Sequence, residues 1–314
     1  MQIDLVPILF CHFRWRTCFG TAKQTAFFKV KEAEPITKHD VITPQANYAG
    51  QPRARGEVRI SSKEVGTQSV LDRLYQSGSA RCLFPRSANA TLNTVILNTS
   101  GGLTGGDKMR VTVTAGVNST LTLTTQACER AYKAQPDQVA QVCNSLNVEN
   151  GARLNWMPQE TILFEGSALH RRLRVNMDGN ARLLMVEPVV FGRAAMGEQL
   201  HNCQFRDRIK IMRDGRLDYI DSINLTGDVS AHLTLSNVAG GAGAMASVVL
   251  VDPLAETHLD DVRALLPDTA GASLLANDVL VLRLLAPDSF TLRKVLVPVL
   301  RLLNHTEIPR CWMI

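Results

Sequence analysis

The side chains best suited to chemistry lie in one segment, residues 94–133. It contains a glycine-rich corner, Gly101-Gly102-Leu103-Thr104-Gly105-Gly106, which Asp107 closes. So many glycines in so few positions indicate positive φ angles or a close approach of other atoms to the backbone. The corner is followed by a polar group that could bind a ligand, namely Thr124, Thr125, Gln126, Glu129, Arg130 and Tyr132.

A phosphate-binding loop is the first chemistry that this corner suggests. Gly101 and Gly106 have the right separation, but Asp107 stands where the lysine of such a loop belongs, and Lys108 takes the place of its hydroxyl residue. Residues 109–114 alternate with period two and predict a strand, whereas the loop requires a helix whose N-terminus holds the phosphates. Because an aspartate also repels phosphate, a nucleotide-dependent enzyme is disfavoured.

Carboxylates in apolar or turn-rich surroundings offer a second kind of chemistry. They are Asp107, Glu160, Glu165, Glu187 and Glu198. Glu187 follows Leu-Leu-Met-Val and is predicted to be partly buried, so its carboxylate must be paired or hydrogen-bonded. Three interpretations stay open: a glycosidase-like carboxylate pair, a weak oxygen-ligand path for a cation, or a salt bridge to an arginine such as Arg193, Arg206 or Arg208.

Histidine and cysteine form no recognisable site. None of the seven histidines lies in a metal-binding or catalytic pattern, and each is predicted to lie at the surface or in a loop. The seven cysteines are scattered, odd in number and never in a C-x-x-C pair, which indicates reduced thiols in a cytosolic protein. We therefore expect no catalytic residue, no fixed high-affinity metal site and a cytoplasmic location.

Length and composition limit the class of protein. A chain of 314 residues with 45% hydrophobic and 20% charged residues can bury a full core. The net charge of +5 is spread without a block of like charges, and no apolar run is long enough to span a bilayer, so neither nucleic acid nor membrane is an expected partner. An aromatic content of 5% disfavours the alternative of a carbohydrate-active β-solenoid enzyme. This profile favours a binding or assembly role.

Strands must position the candidate residues, because much of the chain from Arg53 onward alternates with period two. Four pairs of alternating segments flank turns at residues 116–118, 149–151, 178–180 and 214–215, and they are predicted to form hairpins. The pairs recur at a spacing of roughly thirty residues, which suggests stacked layers. We predict a mostly β fold of stacked hairpins in β-helix-like layered sheets.

Two helices are predicted toward the C-terminus. Asp252-Pro253 is a suitable start for the first, and Asp288 is a suitable N-cap for the second. Residues 127–135 are also compatible with a short helix. Residues 1–50 lack periodicity and are predicted to be a disordered N-terminal extension, so that 51–314 is expected to be a single β-rich domain.

Five segments are long or unusual enough to compare with known families. They are NTSGGLTGGD (98–107), TTQA (124–127), WMPQETILF (156–164), GRAAMGE (192–198) and the terminal PRCW (309–312). In sequence and in order they resemble the urease accessory proteins of the D/H type, and the resemblance extends from Arg53 to the C-terminus. Cys311 departs from the pattern, which has an aliphatic residue at that position.

The resemblance implies a β-rich, non-catalytic chaperone. Such a protein would bind apo-urease, an all-helical accessory protein and a nickel-carrying GTPase while nickel enters the urease active site. Because a protein that passes Ni²⁺ onward must release it, we expect no stably bound cofactor and only transient nickel on weak oxygen ligands. The candidate residues of this path are Asp107, Thr125, Gln126, Glu129, Glu160, Glu187 and Glu198. The candidate partner contacts are Tyr132, Arg193, Arg310 and Trp312; core packing is the alternative for the C-terminal tail.

Overall fold

The computed structural model describes residues 51–86, 89–304 and 307–313. Its strands, in chain order, are β1 (Arg55–Val65), β2 (Gln68–Gly78), β3 (Ala80–Leu83), β4 (Leu92–Asn98), β5 (Lys108–Ala115), β6 (Thr120–Thr125), β7 (Glu129–Ala131), β8 (Ala140–Val148), β9 (Arg153–Met157), β10 (Thr161–Leu163), β11 (Ala168–Met177), β12 (Arg182–Phe191), β13 (Cys203–Arg213), β14 (Arg216–Gly227), β15 (Ala244–Val251), β16 (Ala270–Ala276) and β17 (Val279–Ala286). Its α-helices are α1 (Val229–Thr234), α2 (Leu259–Ala264) and α3 (Ser289–Leu303). The predicted extension, residues 1–50, lies outside the described residues.

Two sheets enclose the main core. The first sheet has the order β14-β13-β11-β8-β5-β1-β2, and the second contains β16-β17-β15-β12-β9-β6-β4-β3 with β10 paired to β12 and β7. The central neighbours are parallel, β5-β8-β11-β13 in the first sheet and β4-β6-β9-β12 in the second. The chain therefore winds from sheet to sheet like a β-solenoid, which confirms the prediction of a mostly β, layered fold.

Three of the four predicted hairpins are wrong, because their turns are corners between the two sheets. At the corner of residues 116–118, for example, β5 ends in the first sheet and β6 begins in the second. Hydrogen bonds join successive corners; for example, Gly151 N donates to Asn180 Oδ1 at 2.8 Å. Of the four turns, only Asp214-Gly215 joins antiparallel neighbours, β13 and β14, and both of its residues have the positive φ that a tight hairpin turn requires.

The predicted C-terminal helix is confirmed. Helix α3 begins after Asp288, whose carboxylate accepts a hydrogen bond from Thr291 N at 2.7 Å and caps the helix. Its apolar side, which includes Leu296 and Leu303, packs on the face of the second sheet that points away from the first. The second sheet is thus covered on both faces.

The other helix predictions are partly corrected. After Asp252, a 3-10 turn at Glu256–His258 leads into α2, which is shorter than predicted, and α1 was not predicted. Residues 127–135 contain strand β7 in place of a helix. The backbone there forms hydrogen bonds with neighbouring loops, since Glu129 N donates to Glu160 O and Tyr132 N donates to Leu103 O.

Candidate functional site

The glycine-rich corner is held shut by Asp107. Its carboxylate accepts one hydrogen bond from Thr104 N at 2.8 Å and another from Ala54 N at 2.7 Å, and the side chain is buried. Gly102 has φ +150°, and a Cβ atom there would lie 2.4 Å from the Tyr132 ring. The corner is therefore a rigid backbone turn packed on Tyr132, followed by strand β5 as the sequence predicts.

Beside this corner lies a cavity of about 280 Å³ between the two sheets. Its walls include Val111 and Leu169 from the first sheet and Ile96 and Trp156 from the second. The exposed residues of its lining, which mark its mouth, are Gly101, Gln126, Ala127 and Arg130. The polar groups farther inside are Asn98, Thr125, Glu129, Asn144, Gln159, Thr161, Arg171 and Glu187. The cavity thus joins a polar mouth to a charged interior.

Two members of a buried ion triad, Arg171 and Glu187, line the cavity. Arg171 Nη1 lies 2.6 Å from Glu187 Oε2, and Arg171 binds Asp207 through Nη2 at 2.6 Å and Nε at 3.0 Å. Trp156 Nε1 donates to Glu187 Oε1 at 2.7 Å. All three charged residues are at most 7% exposed. Two carboxylates share one guanidinium, so the triad carries a net negative charge when both are ionised.

Burial shifts the acid–base behaviour of this interior. The pKa of Glu187 is raised by burial and by the charge of Asp207, against the opposing effects of Arg171 and the Trp156 indole. Burial also raises the pKa of Glu129 to about 7, although Asn98 Nδ2 donates to its carboxylate at 3.2 Å. Two cavity carboxylates thus hold protons more readily than free glutamates do, and a cation entering the cavity would favour their ionised forms.

The raised pKa of Glu129 predicts a pH-dependent effect of Glu129→Gln on stability. As pH rises from 4.5 to about 7, the unfolded chain ionises this group while the folded chain stays protonated, so folding becomes less favourable. We expect Glu129→Gln to remove this penalty and to stabilise the protein by up to about 3 kcal/mol above pH 7, with no gain below pH 4.5. Urea unfolding across this pH range measures it; a gain that is largest in acid would contradict the assignment.

The structure brings four of the seven predicted nickel-path residues to the cavity, namely Thr125, Gln126, Glu129 and Glu187. The other three lie elsewhere. Asp107 closes the corner; Glu160 binds Arg293 Nε on α3 at 2.7 Å; and Glu198 binds Arg193 Nη2 at 2.9 Å, which lowers the pKa of Glu198 to about 2. These three carboxylates are therefore engaged outside the cavity.

The predicted partner contacts divide into exposed and buried residues. Tyr132 and Arg193 lie together beside the mouth, since both contact Phe164: the Tyr132 ring at 5.0 Å edge-to-face and the Arg193 guanidinium at 4.4 Å from the ring centre. Arg310 is exposed. Trp312 is only 2% exposed and its Nε1 donates to Met157 O at 2.9 Å, so its ring is not available at the surface of this chain. Core packing, the alternative, holds for this residue.

Sequence reasoning missed Arg171 and Asp207 and assigned the wrong partner to Glu187. Of the three arginines suggested, Arg193 pairs with Glu198, while Arg206 and Arg208 are exposed. A readable signal exists in the alternation of the strands: Arg171 is in phase with Leu169 and Leu173, and Asp207 is in phase with Phe205 and Ile209. A charge in the apolar phase of a strand therefore points inward and requires a buried partner.

Metal-binding clusters and membrane-spanning helices are both absent from the part of the chain that the structure describes. No group of three or more His, Cys, Asp or Glu side chains there could hold a metal ion. Of the helices described, none is long and apolar enough to cross a membrane. The charged cavity is thus the main candidate site among these residues.

Comparison with known proteins identifies the family. A family model described as UreD urease accessory protein matches residues 54–313. Over 257 residues the chain is 55% identical to a protein named urease accessory protein UreD from Ruegeria pomeroyi, covering 82% of this chain and 100% of that protein. Proteins of the same name from Roseobacter denitrificans and Rhizobium etli are 49% and 43% identical, covering 83% and 86% of this chain and 96% and 99% of their own. The chain therefore belongs to the UreD family of urease accessory proteins, with a role in urease maturation.

Proposed function

We propose that the protein is a non-catalytic chaperone that binds apo-urease in the cytoplasm and recruits an all-helical accessory protein and a nickel-carrying GTPase. In this complex, the cavity between the sheets forms part of the route by which Ni²⁺ reaches the urease active site. The single observation that carries the proposal is a polar cavity with two carboxylates, Glu129 and Glu187, inside a member of a urease accessory family.

The chemistry of the lining suits a cargo ion. Ni²⁺ binds strongly to imidazole and thiolate, whereas carboxylate, hydroxyl and amide oxygens hold it more weakly and permit release. Cys128 also lines the cavity, but burial raises the pKa of its thiol to about 12, so the thiolate that would bind nickel tightly is scarce. When both carboxylates are ionised, Glu187 and Asp207 together exceed the charge of Arg171, which favours a cation nearby.

The alternative of a carbohydrate-active enzyme has less support. A glycosidase needs one carboxylic acid and one free carboxylate on either side of a bound sugar. Glu187 is bound by both Arg171 and the Trp156 indole, and the cavity is small beside a sugar-binding groove. The family match gives no support to this alternative either.

The test is urease activation with purified components and charge-neutralising variants. Glu129→Gln and Glu187→Gln preserve side-chain size, and Glu64→Gln, at an exposed position on β1, is the matched control. We expect all variants to bind apo-urease, and the double variant Glu129→Gln with Glu187→Gln to lower nickel- and GTP-dependent activation by about tenfold. The control should activate normally.

The outcomes separate the two halves of the proposal. Normal activation by the double variant would refute the nickel route through the cavity and leave the scaffold role in place. If the unmodified protein formed no complex with apo-urease or with the accessory proteins, the scaffold role itself would fail. Thermal melts of each variant show whether a loss of activation comes from loss of fold.

A further inference from the structure

We propose that the outward face of the first sheet docks a protein partner that presents a cluster of Asp and Glu side chains. This basic face is defined by the outward cations of β5, β11 and β13, namely Lys108, Arg110, Arg172, Arg174, Arg206 and Arg208. All six side chains are exposed. The proposal rests on the function above only in assuming that the protein works in an assembly.

The register of the sheet gathers these charges into rows. Arg110 on β5 pairs with Cys143 on β8, Cys143 pairs with Arg172 on β11, and Arg172 pairs with Arg208 on β13. On the next row, Lys108 and Arg206 are aligned through Gln141 and His170. Strand β8 supplies uncharged side chains between the basic strands. The face therefore carries positive charge on both sides of β8, with the uncharged side chains of that strand between.

The rows place like charges side by side, which costs stability in the free protein. Arg172 lies beside Arg208 and Arg174 lies beside Lys210 on adjacent strands. Neighbouring strands are about 4.8 Å apart, and like charges directly opposite one another are destabilising. A binding partner that supplies the opposite charge would explain why the protein keeps an arrangement that weakens its own fold.

The acidic residues nearest this face already have partners or point inward. Glu57 on β1 lies opposite Arg110 at the edge of the face and binds Arg59, Asp207 points inward to Arg171, and Asp221 on β14 binds Arg283. On the outer surface of β14, Asn224 and Ser222 pair with Arg206 and Arg208 and carry no charge. Within the described ranges, none of the six cations of the basic face forms a salt bridge with a carboxylate.

Shape and charge select the class of partner. A shallow concavity of about 600 Å³ lies across β8, β11, β13 and β14 and includes Arg172, Arg206 and Arg208. Four strands span about 15 Å, which is wider than one small anion needs, and guanidinium groups bind carboxylates with paired hydrogen bonds. A face that is broad, shallow and rich in arginine fits an acidic protein surface.

Other occupants fit less well. Residues 1–50 contain more Lys and Arg than Asp and Glu, and the whole chain has a net charge of +5, so neither its own N-terminal segment nor a second copy is complementary. Apart from His170, the outward residues of β5, β8, β11 and β13 include no ring on which single-stranded bases could stack. A binding experiment distinguishes duplex nucleic acid from an acidic protein as the occupant.

The first test measures binding of the full-length protein to a poly-L-glutamate peptide and to duplex DNA at low and at physiological ionic strength. The variant is R172E/R208E, and the matched control is R216E/R263E, which reverses two exposed charges on β14 and α2. We expect the peptide affinity to fall with added salt and to fall about tenfold or more in R172E/R208E but not in the control. The variant R172Q/R208Q removes the two charges without reversing them. A thermal melt of this variant shows whether a loss of affinity comes from the lost charge or from a loss of fold.

Two results would overturn the proposal: equal peptide affinity in R172E/R208E and the control, or tighter binding of the unmodified protein to duplex DNA than to the peptide. The same variants are then mixed with apo-urease and the accessory proteins to form the complex. We expect R172E/R208E to bind one of these partners more weakly. Peptide binding without any such complex would contradict the proposed function and not the basic face. A normal complex with R172E/R208E, together with unchanged peptide binding, would contradict the basic face and not the proposed function.

Discussion

Replacing Arg171 with methionine is expected to lower the free energy of unfolding by about 3–5 kcal/mol. Methionine fills much of the volume of the arginine stem but supplies no charge. Glu187 and Asp207, which are 3% and 4% exposed, would then be buried without their shared cation. Urea unfolding at neutral pH measures the loss. Unfolding in acid should show a smaller loss because Glu187, whose pKa is raised by burial, becomes protonated and no longer leaves a buried charge.

Arg172→Met is the control for this prediction. Arg172 is the next residue of the same strand, but it is exposed and has like-charged Arg208 beside it. We expect this change to alter stability by about 0.5 kcal/mol or less. The combination of Arg171→Met with Glu187→Gln and Asp207→Asn should recover part of the lost stability, since no buried charge is then left unpaired. Equal losses for Arg171→Met and Arg172→Met would contradict the triad.

Trp312→Ala is expected to destabilise the isolated protein by about 3–5 kcal/mol. The ring is buried, its Nε1 donates to Met157 O, and the Arg293 guanidinium lies 5.1 Å from its centre. Arg293 also binds Glu160, so the tail is joined through α3 to the loop before β10. Thermal and urea unfolding of the protein alone, without any partner, measure the effect.

Two neighbouring changes make this result specific. Trp312→Phe keeps most of the apolar contact but loses the hydrogen bond to Met157 O, so we expect a smaller loss of about 1–2 kcal/mol. Met313→Ala alters a side chain that is 53% exposed and should cost about 0.5 kcal/mol or less. If Trp312→Ala left the isolated protein unchanged and weakened only complex formation, the ring would be a partner contact and the core assignment would be wrong.

The sequence alone determined the positions of many strands, the start of the last helix and the family. Alternation with period two identified strands such as β5 and the face that each residue takes, because successive side chains of a strand point to opposite sides. Asp288 identified the start of α3, since a carboxylate at the N-cap satisfies free backbone N–H groups. Asp107 disfavoured a phosphate loop, and the long motifs indicated the urease accessory family without reference to any tertiary contact.

The tertiary structure decided which strands pair and which charges meet. Alternation shows which side of a strand points inward, but it does not show which strand lies next to it. The corner at residues 149–151 therefore has the local signature of a hairpin although β8 and β9 lie in different sheets. The triad of Arg171, Glu187 and Asp207 joins residues from β11, β12 and β13 that are adjacent only after the coils stack. Trp312 likewise becomes a core residue because α3 brings the chain end over the second sheet. Contacts between residues distant in the chain depend on this packing, which local pattern does not encode.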